Sequence, residues 1–371
     1  MKKIGIVCYP TFGGSGIVAT ELGKVLSEKN YFVHFISYES PVRLGTLKKN
    51  FSFHQVKIPS YPLFHYPPYE LALTAKIVEV VEEKKLDLLH VHYAVPHAYA
   101  AVNAKSILKS RGINIPIVTT LHGTDITLVG KSPFVLSAVN YAINESDCIT
   151  AVSSYLKEET LRNFDIKKEI HIIPNFIDFN YYKLGPNKLG PKKNKKEKKI
   201  LSHVSNFRPV KRVFDVIEIF KKVNKEIDCL LYMVGDGPDL KECQGLVKKY
   251  NLSDNVFFVG KSKEINEILL KTDIFLLPSE KESFGLVALE AMMFSVPVIT
   301  TEGSGVSDLI IHEKNGFCRP VGDVDSMSAD CIKLLSESSV YESFSYNSYL
   351  RAKEFNVDVV LPIYERIYNN F

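Results

Sequence analysis

The sequence contains no apolar run close to the roughly 20 residues that a membrane-spanning helix needs. Hydrophobic residues make up 46% of its 371 residues and charged residues 24%, the balance of a soluble globular protein. Met1–Cys8 begins with two lysines but leads into a polar, glycine-rich stretch, so it predicts a first β-strand and not an export signal. A chain of this length exceeds the size of most single cores, and we therefore expect two domains.

Cysteine pairs and acidic metal motifs are also scarce. The six cysteines are scattered without a C-x-x-C pair, which indicates reduced thiols in a cytoplasmic protein and argues against structural zinc. No D-x-D motif follows a predicted strand, so we expect neither a cofactor nor a metal ligand set.

The net charge of +4 is too small to indicate a nucleic-acid partner. The lysine-rich run 188–199 lies beside two Gly-Pro pairs, and we interpret it as a solvated linker, with a lipid or nucleic-acid patch as the alternative. Whether the protein forms a homo-oligomer stays open.

Short β-type runs alternate with helical patterns along the whole chain, which predicts an α/β fold with two doubly wound parallel sheets. The predicted strands are 4–9, 32–38, 86–93, 117–121, 148–152 and 170–173 in the first half, and 200–204, 230–234, 256–259, 274–277 and 296–300 in the second. We place the first domain at 1–178 and the second at 179–354. An apolar stripe predicts a last helix, within 355–371, that can return to the first domain.

In such sheets a ligand lies outside the carboxyl ends of the strands. After the first strand comes Gly13-Gly14-Ser15-Gly16, directly before an amphipathic helix, 16–28. The free amides and the positive end of this helix favour a phosphate or carboxylate. A tight turn without a ligand is the alternative. A dinucleotide fingerprint is poorly supported, although Glu39 leaves a dehydrogenase possible.

The second half carries cations at the corresponding place. Arg208 and Lys211 follow its first strand, where they could neutralise a leaving diphosphate, or could simply be surface cations. Gly235 and Gly237 end the next strand, and their lack of a side chain would allow a flat base to approach the backbone.

The segment from Glu282 to Glu290 places one carboxylate in a loop and the other about a turn and a half into the following helix. Carboxylates accept hydrogen bonds from vicinal hydroxyls, and the amides of Gly285, Leu286 and Val287 can hold a phosphate. In isolation, an ordinary capped helix with two solvated glutamates explains the pattern equally well.

These residues together resemble the retaining GT-B glycosyltransferases of family 4, in which two Rossmann-like doubly wound domains face each other across a cleft. The E-x7-E spacing of Glu282 and Glu290 matches that family. So does the order of the glycine turn, His122-Gly123-Thr124-Asp125, Asn206 to Lys211, and Gly235 to Pro238. Residues 8–23 and 120–127 resemble, more narrowly, the members that glycosylate L-malate in bacillithiol biosynthesis.

The resemblance implies that 1–178 is the acceptor-side domain and 179–354 the nucleotide-sugar-binding domain. It also implies a role for each matched residue. Arg208 and Lys211 would hold the diphosphate, Glu282 and the amides of Phe284 and Gly285 the sugar hydroxyls, and Glu290 the ribose. His122 would face the reacting side of the sugar. The full donor-binding set is Gly14, Asn206, Gly235, Phe284, Gly285, Leu286, Val287 and Glu290, and the catalytic set is His122, Arg208, Lys211 and Glu282.

The implied reaction is transfer of N-acetylglucosamine from UDP-N-acetylglucosamine to the hydroxyl of L-malate, with retention and without metal. The candidate acceptor residues are Ser15, Gly16, Arg43, Tyr93 and Thr120. Another family 4 acceptor, such as a lipid or a sugar, and a non-catalytic nucleotide-sugar sensor are the alternatives. A buried strand carries His90 and His92, which we interpret as core or near-site residues and not as metal ligands.

Three segments depart from the family pattern. Met293-Phe294-Ser295 replaces a small Ala-Cys-Gly turn, and the segment 303–308 replaces a Gly-Gly-Ile-Pro-Glu type turn. Asn206 stands where many relatives carry arginine, so Arg208 could supply that cation.

Overall fold

The structure is a computed structural model, and it describes residues 1–11, 13–41, 44, 50–58, 66–128, 130, 132–179, 198–262 and 265–371. The chain forms two compact units, one made of residues 1–175 with 360–371 and the other of residues 176–359. Each is organised around a parallel sheet, which confirms the predicted α/β class.

The first unit contains a seven-stranded sheet in the order β3-β2-β1-β4-β5-β6-β7, with every pairing parallel. Its strands are β1 Lys2–Val7, β2 Tyr31–Ser37, β3 Phe51–Gln55, β4 Leu88–His92, β5 Ile117–Leu121, β6 Cys148–Ala151 and β7 Ile170–Ile172. The connecting helices are α1 Gly14–Glu28, α2 Tyr69–Lys84, α3 Tyr99–Ser110, α4 Thr124–Thr127, α5 Leu136–Glu145 and α6 Ser154–Asn163, with an irregular kinked turn at Ala94–Ala98.

The second unit contains a six-stranded parallel sheet in the order β10-β9-β8-β11-β12-β13. Its strands are β8 Lys199–Ser205, β9 Cys229–Gly235, β10 Val256–Gly260, β11 Ile274–Leu277, β12 Val298–Thr301 and β13 Gly316–Arg319. Its helices are α7 Val213–Glu226, α8 Leu240–Lys249, α9 Ile265–Lys271, α10 Leu286–Met293, α11 Val324–Ser336 and α12 Ser338–Lys353, with 3₁₀ turns at Pro209–Lys211 and Gly305–Asp308.

The cores explain why these segments become strands and helices. Buried strand residues such as Val91 and Ile117 pack against the apolar faces of α2 and α3 in the first unit. In the second, Leu231 and Met233 pack against the apolar face of α7, which includes Phe220. Parallel strands covered by helices must be apolar along most of their length, as these are.

The last helix, α13, spans Val357–Asn369, and its residues from Val360 onward belong to the first unit. There Tyr364 and Tyr368 are fully buried. The ring centroids of Tyr368 and Tyr31 are 6.3 Å apart, and the hydroxyl of Tyr368 lies 2.6 Å from Nδ1 of His90. The apolar stripe predicted from the sequence is therefore a core-forming face. No described helix has the length and apolarity to cross a membrane.

Candidate active site

In the first unit the strand order reverses between β1 and β4, so the loops that follow these two strands diverge. Such a switch point is where doubly wound sheets bind ligands. The predicted glycine turn follows β1, and α1 begins within it, at Gly14. Packing also requires a glycine at position 16, since a methyl group on Gly16 would lie 2.5 Å from the carbonyl oxygen of Thr11.

Two predicted acceptor residues meet at this switch point. The hydroxyl of Ser15 donates to the hydroxyl of Tyr93, 3.1 Å away. Tyr93 directly follows β4 and has a φ of 85°, a left-handed conformation that is uncommon for a non-glycine residue. Backbone strain of this kind is concentrated at functional sites, so it agrees with a role for Tyr93 in binding.

His122 directly follows β5 and lies beside them. Its ring centroid lies 5.4 Å from that of Tyr93, and its Nε2 lies 2.8 Å from Nδ1 of His92. Burial lowers the pKa of His122 to about 3, because a charged imidazole would lose its hydration. His122 is therefore uncharged at neutral pH.

Asp125, which sequence reasoning did not select, holds this part of the site together. Its two carboxylate oxygens accept hydrogen bonds from the amides of Gly123 and Ala94, each at 2.9 Å. The loop after β5 is thereby tied to the loop after β4. Burial raises the pKa of Asp125 to about 6. Its place in the His122-to-Asp125 motif was the signal that could have revealed it.

Two other acceptor candidates have different outcomes. Thr120 is fully buried, and its hydroxyl bonds to Nε2 of His90 and to the hydroxyl of Thr150, both at 2.7 Å. It supports the site from within the core. Arg43 lies outside the described residues.

The second unit has its own switch point, between β8 and β11. Two predicted catalytic residues from the two loops form an ion pair there, with Nζ of Lys211 2.6 Å from Oε1 of Glu282. The amide of Glu280 also donates to the carbonyl of Val210 at 2.8 Å, which fixes one loop against the other. Since the side chains of Lys211 and Glu282 are 20% and 12% exposed, the pair is accessible but partly shielded from water.

The loop after β8, which carries Arg208 and Lys211, is supported by the buried side chain of His203, which the sequence analysis missed. The Nδ1–H of His203 donates to the carbonyl of Leu276, and its Nε2 accepts from the hydroxyl of Ser205, at 2.9 and 2.8 Å. Burial lowers the pKa of His203 to about 4. Phe207 is completely buried, whereas Asn206 and Arg208 on either side of it are exposed. The loop is thus anchored by apolar and hydrogen-bonded residues and presents polar ones.

The E-x7-E segment forms the other side of this site. Gly285 precedes α10 with a φ of 86°, so the amides of Leu286 and Val287 open the helix. Phe284 is buried against Phe355, with ring centroids 5.8 Å apart. Glu290 is 6% exposed within α10. The structure therefore brings a carboxylate, helix-start amides and a lysine together in one unit.

Gly235 and Gly237 turn out to serve the protein's own packing. A methyl group on Gly235 would lie 1.8 Å from the carbonyl oxygen of Ser205, and one on Gly237 would lie 2.2 Å from that of Asn206. The close approach that requires these glycines is therefore to the loop after β8. Whether these glycines also allow a flat base to approach stays a prediction.

No cluster of three or more His, Cys, Asp or Glu side chains in the described ranges is arranged to hold a metal ion. All six cysteines are free thiols.

Two doubly wound units, each with polar loops at its switch point, define the class of two-domain Rossmann-type proteins. Glycosyltransferase Family 4 matches residues 12–181, and Glycosyl transferases group 1 matches residues 187–351. The N-acetyl-alpha-D-glucosaminyl L-malate synthase of Bacillus anthracis is 43% identical, over 99% of this chain and 96% of that protein. An uncharacterized glycosyltransferase of Methanocaldococcus jannaschii is 26% identical over 98% of this chain and 96% of its own length. The chain belongs to the family 4 glycosyltransferases.

Solved structures show the same fold at low sequence identity. Anabaena Alr3699/HepE in complex with UDP-glucose has a TM-score of 0.82 at 19% identity, with both chains covered completely. Sucrose-phosphate synthase from Thermosynechococcus elongatus has a TM-score of 0.78 at 20% identity, covering 100% of this chain and 99% of that one. The predicted GT-B architecture is therefore confirmed, and the protein is a glycosyltransferase.

Proposed function

We propose that the protein transfers N-acetylglucosamine from UDP-N-acetylglucosamine to the hydroxyl of L-malate, with retention of anomeric configuration. The observation that carries the proposal is the 43% identity, over nearly the whole chain, to the Bacillus anthracis synthase. That protein's name specifies an α-linked product. Because UDP-N-acetylglucosamine is itself α-linked, the same product here requires retention.

The proposed step needs no enzyme nucleophile. The bond between the sugar's anomeric carbon and the β-phosphate oxygen breaks, and its electron pair leaves with UDP. The malate hydroxyl oxygen then bonds to that carbon on the face the diphosphate has left, and its proton passes to a phosphate oxygen. Positioning and electrostatic stabilisation are what the protein supplies.

The second unit supports donor binding and departure. Lys211 and the exposed Arg208 present positive charge where charge grows on the leaving diphosphate. The amides at the start of α10 add the positive end of a helix. We assign Glu282 to the sugar hydroxyls and the helix carboxylate Glu290 to the ribose. With this positive charge from the protein, we propose that no divalent metal is required.

The first unit supports acceptor binding. Ser15 and Tyr93, bonded to each other, lie at the start of α1, where amides and hydroxyls can hold one malate carboxylate. A second carboxylate then needs its own partners. A site built for two charges leaves donors unpaired when one is missing, and each such loss costs about 1 to 3 kcal/mol. L-malate should therefore exceed L-lactate in efficiency by roughly 5-fold to more than 100-fold.

The test is a competition among L-malate, L-lactate, glycerol and a sugar for transfer from UDP-N-acetylglucosamine, read as product mass. The anomeric proton coupling of the product reports retention, and parallel reactions in excess chelator report metal dependence. We expect one α-linked malate glycoside, formed equally well with chelator. Comparable use of lactate, or preference for the sugar, would overturn the malate assignment. Binding of donor without turnover of any acceptor would instead indicate a sensor.

We also place the enzyme in the cytoplasm. Its six free thiols agree with a reducing compartment.

A further inference from the structure

Three histidine rings lie in a row beneath the first unit's site. His90 and His92 come from β4, and His122 follows β5. The ring centroids of His90 and His92 are 4.4 Å apart and those of His92 and His122 are 5.1 Å apart, with rings inclined by 29° in each pair. His90 and His92 are completely buried and His122 is 7% exposed.

Hydrogen bonds distinguish the members of this row. His90 uses both ring nitrogens, with Nδ1 2.6 Å from the hydroxyl of Tyr368 and Nε2 2.7 Å from the hydroxyl of Thr120. His92 uses only one, since its Nδ1 lies 2.8 Å from Nε2 of His122. The Nε2 atom of His92 is buried and has no hydrogen-bond partner in the part of the chain that the structure describes.

A single proton lies between His92 and His122. Burial lowers the pKa of both rings far below neutrality, so each ring is neutral and carries one N–H. Either His122 donates from Nε2 to Nδ1 of His92, or His92 donates from Nδ1 to Nε2 of His122. The first arrangement forces the proton of His92 onto Nε2, where a buried N–H would be left without an acceptor. The second leaves only a lone pair there.

Buried N–H groups without an acceptor are rarer in proteins than buried acceptors without a donor. We propose that His92 is a positioning residue, which donates from Nδ1 to Nε2 of His122 and so fixes His122 as the Nδ1–H tautomer.

The consequence for catalysis rests on the proposed function of His122 at the reacting sugar. With Nε2 occupied by His92, Nδ1 is the nitrogen through which His122 can meet a substrate. In the assigned tautomer that nitrogen is a hydrogen-bond donor, and it has no lone pair with which to accept a proton. His122 therefore orients a substrate oxygen and does not deprotonate the acceptor hydroxyl, which leaves that proton to the departing phosphate.

The direct test is long-range ¹H–¹⁵N NMR of the full-length protein with ¹⁵N-labelled histidine, at neutral pH. The His122 signals are identified by their loss in His122→Asn. We expect a protonated Nδ1 and an unprotonated Nε2 in both His92 and His122. An Nε2–H tautomer of His122 in the unmodified protein overturns the proposal, whatever the His92 variants do.

Two substitutions of His92 separate hydrogen bonding from packing. Asparagine can place an N–H near the position of imidazole Nδ1, whereas phenylalanine keeps the ring's bulk without a donor. We expect His92→Phe to mix the tautomers of His122 and to lower kcat roughly tenfold, the equivalent of about one hydrogen bond, with little change in KM for the donor. His92→Asn should restore most of both. The matched control is His34→Phe, since His34 is a buried strand histidine that bonds to Ser52 and His54 instead.

The outcomes keep the two proposals apart. Unchanged tautomers and unchanged kcat in His92→Phe overturn the positioning role. An absence of malate glycosylation by the unmodified protein, together with the expected tautomers, overturns the proposed function and leaves the assignment of His92 standing.

Discussion

The side chain of Lys211 should contribute much more to turnover than to the stability of the fold. It is paired with Glu282 at the second unit's switch point, and its loop is held by Phe207 and His203 independently of the lysine side chain. We expect Lys211→Ala to lower kcat/KM by roughly 100-fold or more, the usual effect of losing one group that stabilises transition-state charge. The melting temperature should change little.

The matched control for this substitution is Lys222→Ala. Lys222 forms a comparable ion pair with Asp325, at 2.5 Å, but on an exposed surface of the same unit. Exposed ion pairs contribute little, so both stability and turnover should be preserved. Steady-state kinetics beside a thermal melt measures both variants, and near-normal turnover of Lys211→Ala would remove this lysine from the mechanism.

The two carboxylates of the E-x7-E segment should divide the donor between them. Glu290→Gln is expected to weaken binding of UDP itself, because the helix carboxylate is assigned to the ribose. Glu282→Gln should spare UDP and weaken the complete donor, because the loop carboxylate is assigned to the sugar. Calorimetry with UDP and with UDP-N-acetylglucosamine distinguishes them. Equal losses for both ligands in both variants would contradict the assignment.

At the scale of elements, the turn after β12, which includes the 3₁₀ segment Gly305–Asp308, supports the loop that carries Glu282. The amide of Gly305 donates to the carbonyl of Glu282 at 2.7 Å, and a methyl group on Gly305 would lie 2.0 Å from the carbonyl oxygen of Ser283. This turn is one of the departures from the family pattern. The structure shows that its sequence fits against the backbone of the loop that carries Glu282.

Gly305→Ala should therefore displace the loop that carries Glu282. We expect a loss of about 1 to 3 kcal/mol in the free energy of unfolding, as for other overpacked sites, together with weaker donor binding. Gly245→Ala is the control, because Gly245 lies within α8 with open space where the methyl group would be. It should stabilise the protein by about 0.5 to 1 kcal/mol. Denaturant unfolding and donor titration test both, and unchanged donor affinity in Gly305→Ala would argue against this supporting role.

The sequence predicted most central strands and missed both weakly patterned edges. β5 and β11 have the predicted bounds, since their residues are apolar or β-branched and are buried on both faces. β3 and β13 were not predicted. β3 is a half-exposed edge strand, and β13 is a four-residue edge strand that begins with Gly316. A short edge strand makes hydrogen bonds on one side only, so its apolar pattern is too weak to be recognised locally.

The site was predictable where residues follow strands in sequence and unpredictable where support comes from elsewhere in the fold. In each unit the parallel topology brings the loops after neighbouring strands to the same end of the sheet. The pair Ser15–Tyr93 joins two such loops in the first unit, and the pair Lys211–Glu282 joins two in the second. The contribution of His203 depends on the Leu276 carbonyl of a neighbouring strand, which no spacing reveals.

At the scale of the whole molecule, buried neutral histidines should make the protein sensitive to acid. Burial lowers the pKa of His90 and His122 to about 3 and that of His97 and His203 to about 4. The unfolded chain takes up these protons near pH 6.5. The stability from these groups is therefore complete above pH 6.5, and it is lost as the pH falls toward 4, by about 1.4 kcal/mol per histidine and pH unit.

Asp125 has the opposite sign. Its pKa is raised to about 6, so its contribution is complete below about pH 4 and is lost as the pH rises through 6. One aspartate offsets only part of the effect of four histidines, and we expect a clear loss of stability between pH 7 and pH 5.5. Denaturant unfolding at both pH values measures it. Equal stability at both pH values would refute the expectation.

The position of Tyr368 has a consequence for biosynthesis. This ring and that of Tyr364 complete a core whose other members, Tyr31 and His90, lie more than 270 residues earlier in the chain. A ribosome releases the whole of residues 176–359 before it releases the helix that covers this core. Synthesis of the first unit thus begins before that of the second unit and is completed after it. Until then, the nascent chain must keep an incomplete apolar surface from aggregating while a second unit folds behind it.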